Sequence, residues 1–216
     1  MQSIVGKWPP LKLKILCLGA HPDDIEYGVG GTLLLLKEKY DINMLIMTCG
    51  EIGAPASIRK KEQMCSSEIL NSKIYWGGSK DTKITVDRIT ITKIEVVIKK
   101  IKPDIIFVNY YNDTHQDHRN ASFATLTASR YVRNVLLYEV PTSIDFTPNI
   151  FMNIEKVINN KMELLRTHKS QVNATRIPHL NILESVKSCA VFRGFQNRVK
   201  YAEGFLSIRF SLDYFI

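Results

Sequence analysis

Residues 13–36 read LKILCLGAHPDDIEYGVGGTLLLL. The run from Leu13 to Leu18 is mostly apolar and is closed by Gly19, which predicts a buried strand at 13–18. It gives way to His21-Pro22-Asp23-Asp24. A glycine-rich segment at 28–31 follows, then Thr32-Leu33-Leu34-Leu35-Leu36 within a helix predicted at 30–39. One imidazole and two carboxylates therefore stand at the carboxyl end of a strand, the edge at which open α/β sheets place their ligands.

Outward from this stretch, strand and helix patterns alternate. Further strands are predicted at 43–49 (NMLIMTC), 74–76, 104–110 (DIIFVNY), 135–138 and 204–212. Helices are predicted at 58–70, with Ser57 as N-cap, and at 86–101, 120–132, 154–167 and 181–192. The helix at 86–101 carries Ile91, Ile94, Val97, Ile98 and Ile101 at i, i+3, i+4 spacing, and Pro103 closes it. This alternation predicts a single-domain α/β fold, a Rossmann-like doubly wound and mostly parallel sheet with helices on both faces. The domain is expected at 12–216. A tail precedes it at 1–11, where Pro9-Pro10 blocks regular structure.

The chain has 216 residues, a net charge of +8 and a pI near 9.3. The basic residues are spread along the chain, with neither a run of five like charges nor an aromatic-interleaved basic stripe, so nucleic-acid binding is not expected. The excess charge suits a phosphate-bearing small molecule. No apolar run approaches the roughly 18 residues that cross a membrane, and the N-terminal residues lack the apolar core of a signal peptide. Cys17, Cys49, Cys65 and Cys189 form no C-x-x-C pair, which fits a reducing, cytoplasmic compartment. Oligomeric state is left open.

A second polar cluster, Asp113-Thr114-His115-Gln116-Asp117-His118, follows the strand at 104–110. A catalytic zinc takes three protein ligands and keeps one position open. His21 and Asp24, three apart on a turn, can face one ion, and His118 can supply the third ligand. Asp23 is then a free carboxylate beside the metal, placed to take a proton from water that the ion acidifies. His115 is left to stabilise an oxyanion or protonate a leaving group, and Asp117 to orient an imidazole. Asp-Asp after Pro is also good turn chemistry, but three of the five histidines fall in these two clusters. The glycines at 28–31 do not match G-x-G-x-x-G and are expected to allow close helix–strand packing instead of dinucleotide binding.

AHPDD at 20–24 with Gly-Gly-Thr at 30–32, and THQDH at 114–118, resemble the two motifs of the PIG-L/LmbE family of zinc-dependent N-deacetylases; Gln116 stands where the family commonly has Pro. TCGEIG at 48–53, Arg59 with Glu62, HKSQ at 168–171 and YAEGF at 201–205 extend the resemblance along most of the chain. The resemblance implies one zinc held by His21, Asp24 and His118, with Asp23 as general base and His115 assisting the transition state. It also implies an N-acetylglucosamine-type substrate, for which Arg59, Glu51 and Glu203 are the candidate ligands. For Arg59 an ion pair with Glu62, and for Glu203 a buried ion pair, are the structural alternatives. The expected activity is hydrolytic release of acetate from an N-acetylated amino-sugar conjugate. The alternatives are hydrolysis of another small N-acyl amine, or a sugar-binding module without catalysis. His168 is expected to play a structural part at a helix end.

Overall fold

The computed structural model describes residues 12–211; the predicted tail at 1–11 lies outside them. The strands are β1 (Leu13–Gly19), β2 (Tyr40–Ile46), β3 (Lys73–Trp76), β4 (Ile105–Asn109), β5 (Asn134–Tyr138), β6 (Ile150–Asn153) and β7 (Ala202–Arg209). The helices are α1 (Asp24–Leu36), α2 (Ala56–Ile69), α3 (Arg88–Ile101), α4 (Gln116–Ala128), α5 (Ile158–Arg166) and α6 (Ile182–Gln196). The strands form one sheet in the order β3-β2-β1-β4-β5-β7-β6. Its first five strands run parallel, and β7 and β6 add an antiparallel edge. This is the predicted doubly wound α/β sheet. The order reverses between β1 and β4, so the crevice expected of such sheets opens at their carboxyl ends.

The near-continuous apolar sequences of β1, β2, β4 and β5 follow from their burial on both faces. One core packs Ile15, Cys17, Met44, Phe107 and Tyr138 with α1 and α5; the other packs Leu16, Leu18, Leu45, Ile106 and Leu137 with α3 and α4. Asp87 caps α3 by accepting from Thr90 N at 2.8 Å.

Three boundaries near the crevice differ from the sequence reading. Helix α1 begins at Asp24, six residues before the predicted start, so the glycines lie inside it. Intrinsic propensity disfavours this, but packing requires it: a Cβ at Gly28 would overlap the ring of Tyr138, whose hydroxyl donates to Leu18 O at 2.8 Å. Helix α4 begins at Gln116, within the second motif and not after it. Helix α2 begins at Ala56 after Pro55, and Ser57 lies within the helix and does not cap it. The segment predicted as one helix at 154–167 is a 3-10 turn at Glu155–Val157 followed by α5, and β6 was not foreseen.

Candidate metal centre

The ends of β1 and β4 are tied together before either motif begins. Ala20 N donates to Asn109 Oδ1 at 3.1 Å, fixing the His21 turn against the end of β4. His21 N then donates to Asp24 Oδ2 at 2.9 Å, which closes the turn around that carboxylate. Asp23, between them, has φ 92°, in the left-handed region. Aspartate tolerates that region better than most residues, and side chains held in it concentrate at functional sites. Although it sits at the N-cap of α1, Asp23 makes no capping bond, so its carboxylate stays free of the helix end. On the other strand, His115 caps α4 by accepting from Asp117 N through Nδ1 at 3.2 Å. His118 follows in the first turn.

These turns bring His21, Asp24 and His118 together. His21 Nδ1 lies 3.2 Å from His118 Nε2 and 3.8 Å from Asp24 Oδ2, and His118 Nε2 lies 3.4 Å from Asp24 Oδ1. All three are buried. The far nitrogen of each imidazole meets carboxylates. His118 Nδ1 is 3.1 Å from Asp113 Oδ1; His21 Nε2 is 3.1 Å from Asp81 Oδ1 and 3.3 Å from Asp117 Oδ2. The His115 ring stacks on His118 with centroids 4.8 Å apart and meets the edge of His21 at 4.7 Å.

Burial alone would lower both imidazole pKa values. For His21 the hydrogen bonds to Asp117 and Asp81 and the charge of Asp24 outweigh it, and the group is pushed up to about 9. For His118 the charge of Asp24 and the hydrogen bond to Asp113 push it up to about 10. Asp24, despite burial, is held well below the usual carboxylate range by His118 and His21. His115 moves the other way: burial and the positive charge of His21 and His118 lower its pKa, so it is neutral near pH 7. Asp23 is raised by burial, with Arg59 and His168 opposing.

The donor chemistry fits a divalent cation. Two ring nitrogens and a carboxylate face one another, and each ring is turned and polarised by a carboxylate on its other side, as metal-bound imidazoles commonly are. His115 and His118 also close with His21 within 4.8 Å, as do Asp81 and Asp117 on its Nε2 side.

The remaining sequence candidates are distributed as follows. Asp117 is fully buried, bonds Thr82 N at 2.7 Å and Ile84 N at 3.1 Å, and orients His21 from behind. Arg59 is buried and does not pair with Glu62. Its guanidinium lies 3.4 Å from both Asp23 oxygens and donates to Pro22 O at 2.6 Å, while Glu62 accepts from Ser170. Glu51 accepts from Asp81 N at 2.9 Å and so holds the loop that carries Asp81. Glu203 is not among the donors. Its oxygens accept from Gly31 N and Thr32 N, each at 2.7 Å, and from Lys161, a buried ion pair that fastens β7 to α1 and α5. His168 caps no helix end with its side chain; it is buried 3.5 Å from Glu26. Sequence reasoning missed Asp81 and gave Asp113 no role. Asp81 follows β3 at the same sheet edge, and Asp113 opens the second motif; those positions were the available signals.

A cavity of about 140 Å³ opens beside Asp23, Asp24 and His118.

Fold and site together define the class: a Rossmann-like α/β protein with a His/Asp centre, able to hold a divalent metal, at the switch point of its sheet. Residues 16–129 match the family model described as PIG-L: GlcNAc-PI de-N-acetylase, and the chain belongs to that family. It is 30% identical over 223 residues to the diacetylchitobiose deacetylase of Thermococcus kodakarensis, covering 88% of this chain and 81% of the relative. Among solved structures it resembles the N,N'-diacetylchitobiose deacetylase from Pyrococcus horikoshii, crystallised with an inhibitor. The TM-score is 0.79 at 26% identity, with 90% of this chain and 83% of that one covered. It shares the fold equally with GalB, a 4-carboxy-2-hydroxymuconate hydratase from Pseudomonas putida, at TM-score 0.80 and 19% identity, covering 92% and 97%. The fold alone therefore does not specify the reaction.

Proposed function

We propose that the protein is a zinc-dependent N-deacetylase that removes acetyl from an N-acetylglucosamine-type conjugate and releases acetate. The observation that carries this reading is the facing of His21 Nδ1, His118 Nε2 and Asp24, with the Arg59-paired carboxylate of Asp23 next in the chain. The deacetylases among the relatives support it.

His21, Asp24 and His118 would hold the ion, which when bound supplies a Lewis acid and lowers the pKa of water. Asp23 accepts the proton of the attacking water as the water adds to the amide carbonyl. Its raised pKa suits a group that must take a proton and give it back. His115 Nδ1 accepts from Asp117 N, so the neutral ring carries its proton on Nε2. That N–H donates to the developing oxyanion. Asp113, Asp81 and Asp117 hold the ring orientations of His118 and His21. When the carbon–nitrogen bond breaks, Asp23 passes its proton to the leaving amine.

Arg59 and Glu51, close to Asp23 and Asp81, are the residues we propose for contact with the sugar; Glu203, engaged on both oxygens, is better explained as a structural anchor. The domain is taken as 12–216. Among the described residues no helix is long and apolar enough to cross a membrane. The four cysteines are free thiols, which suits the reducing, cytoplasmic compartment we propose. The test is acetate release from free, thiol-linked, lipid-linked and nucleotide-linked N-acetylglucosamine, with the protein metal-loaded, chelator-stripped and reloaded. Release that disappears on stripping and returns with zinc is expected. Stoichiometric zinc with no release from any of the four would favour a binding module.

A further inference from the structure

The walls around the centre differ in chemistry. Beside the centre stand Asp81, held by Glu51 and bonded to His21, and Arg59, bonded to Asp23. The cavity of about 140 Å³ that touches Asp23, Asp24 and His118 is lined beyond them by Tyr27 and Thr142 and by the apolar side chains of Val140, Pro141, Leu165 and Ile182. An N-acyl amino sugar has one polyhydroxyl end and one apolar end. Hydroxyls against these four apolar side chains would lose hydrogen bonds to water without replacement, so the acyl group belongs against them and the sugar toward Arg59 and Asp81. The cavity is larger than an acetyl methyl needs. One water-sized group needs roughly 10–15 Å³ of such free space, so the cavity has room for several where the methyl is one.

We propose that this wall is an acyl-binding pocket that accepts short N-acyl chains longer than acetyl, and that Ile182 sets its length limit. Ile182 is half-buried at the first position of α6, where it lines the cavity at the edge of the sheet core it packs against. Leu165 and Val140, buried in that core, form the fixed part of the wall. The inference rests on the deacetylase reading and names the acyl class it admits.

The experiment compares N-acetyl-, N-propionyl- and N-butyrylglucosamine with the metal-loaded protein, reading free amine. In the unaltered protein kcat/KM rises roughly threefold to fourfold per added methylene. A tenfold fall from acetyl to butyryl would overturn the proposal. Ile182→Trp, with its fold checked by thermal melting, lowers the butyryl-to-acetyl ratio of kcat/KM at least tenfold, and Ile182→Ala raises it; a ratio unmoved by both variants also overturns it. If none of the three amides is turned over, the deacetylase reading fails by itself, and calorimetric affinities then decide the pocket. Butyryl binding tighter than acetyl in the unaltered protein but not in Ile182→Trp supports it, and equal affinities refute it.

Discussion

Asp113→Asn isolates the carboxylate behind His118. Asp113 is buried, its Oδ1 lies 3.1 Å from His118 Nδ1 and accepts from His115 N at 2.8 Å, and its Oδ2 accepts from Ser143 at 3.1 Å. The amide keeps the shape and one acceptor but removes the charge that makes His118 a stronger donor. Loss of such a partner typically weakens metal binding 10- to 100-fold, or about 1.4–2.7 kcal/mol. At a metal concentration of about 100 times the original Kd, binding stabilises the fold by about 2.7 kcal/mol. The same concentration should stabilise the variant by about 1.4 kcal/mol if affinity falls tenfold, and by about 0.4 kcal/mol if it falls a hundredfold. Competition with a chromophoric chelator gives Kd directly, and melting with and without metal gives the stabilisation. A folded Asp113→Asn protein with unchanged Kd would refute the assignment of His118 as a metal-holding residue tuned through its Nδ1.

Three other outcomes follow from the same geometry. In metal-free protein, His21 and His118 have pKa values raised to about 9 and about 10. Their stabilising contribution is complete below the unfolded value near 6.5 and is lost as pH rises through 9 to 10; metal affinity runs oppositely, rising with pH as the protons leave. Denaturant midpoints across pH 6–10 without metal check the sign, and a flat profile contradicts it. Gly28→Ala would gain up to about 1 kcal/mol from helix propensity, but its methyl meets the fully buried Tyr138 ring. Overpacking of about 1–3 kcal/mol should win, and an increase in melting temperature would contradict it. Lys161→Met leaves Glu203 without its buried counter-charge and should cost about 3–5 kcal/mol, with the turnover of the protein that remains folded preserved. A specific loss of substrate affinity in a fully stable variant would return Glu203 to the substrate side.

What the sequence made legible was set by range. The apolar runs of β1, β2, β4 and β5 are buried on both faces, so local hydrophobicity was enough to find them, and their alternation with helices was enough for the parallel sheet. β6 is four residues, IFMN, three half-buried and one exposed, paired among the described residues only with β7, and no local pattern marks it. The start of α1 was misplaced because glycines and a left-handed Asp23 read as a loop. What keeps that segment helical is contact with Tyr138 and Glu203, more than a hundred residues away in sequence. Of the residues gathered at the centre, His21, Asp24 and His118 were readable as types and spacing at two strand ends. Asp81 was not, because a single aspartate after a short strand resembles any turn residue until the fold sets it against His21. Glu203 was ambiguous for the same reason: its partners are on α1 and α5.

The most direct test of the central claim is acetate release by Asp23→Asn against the unaltered protein, both carrying measured, equal amounts of bound metal. Asp23 stands beside the three donors without joining them, so the substitution should leave metal content intact and lower turnover by roughly 10²- to 10⁴-fold, the range of a lost general base. Turnover within a fewfold of normal in a metal-replete Asp23→Asn protein would contradict the account.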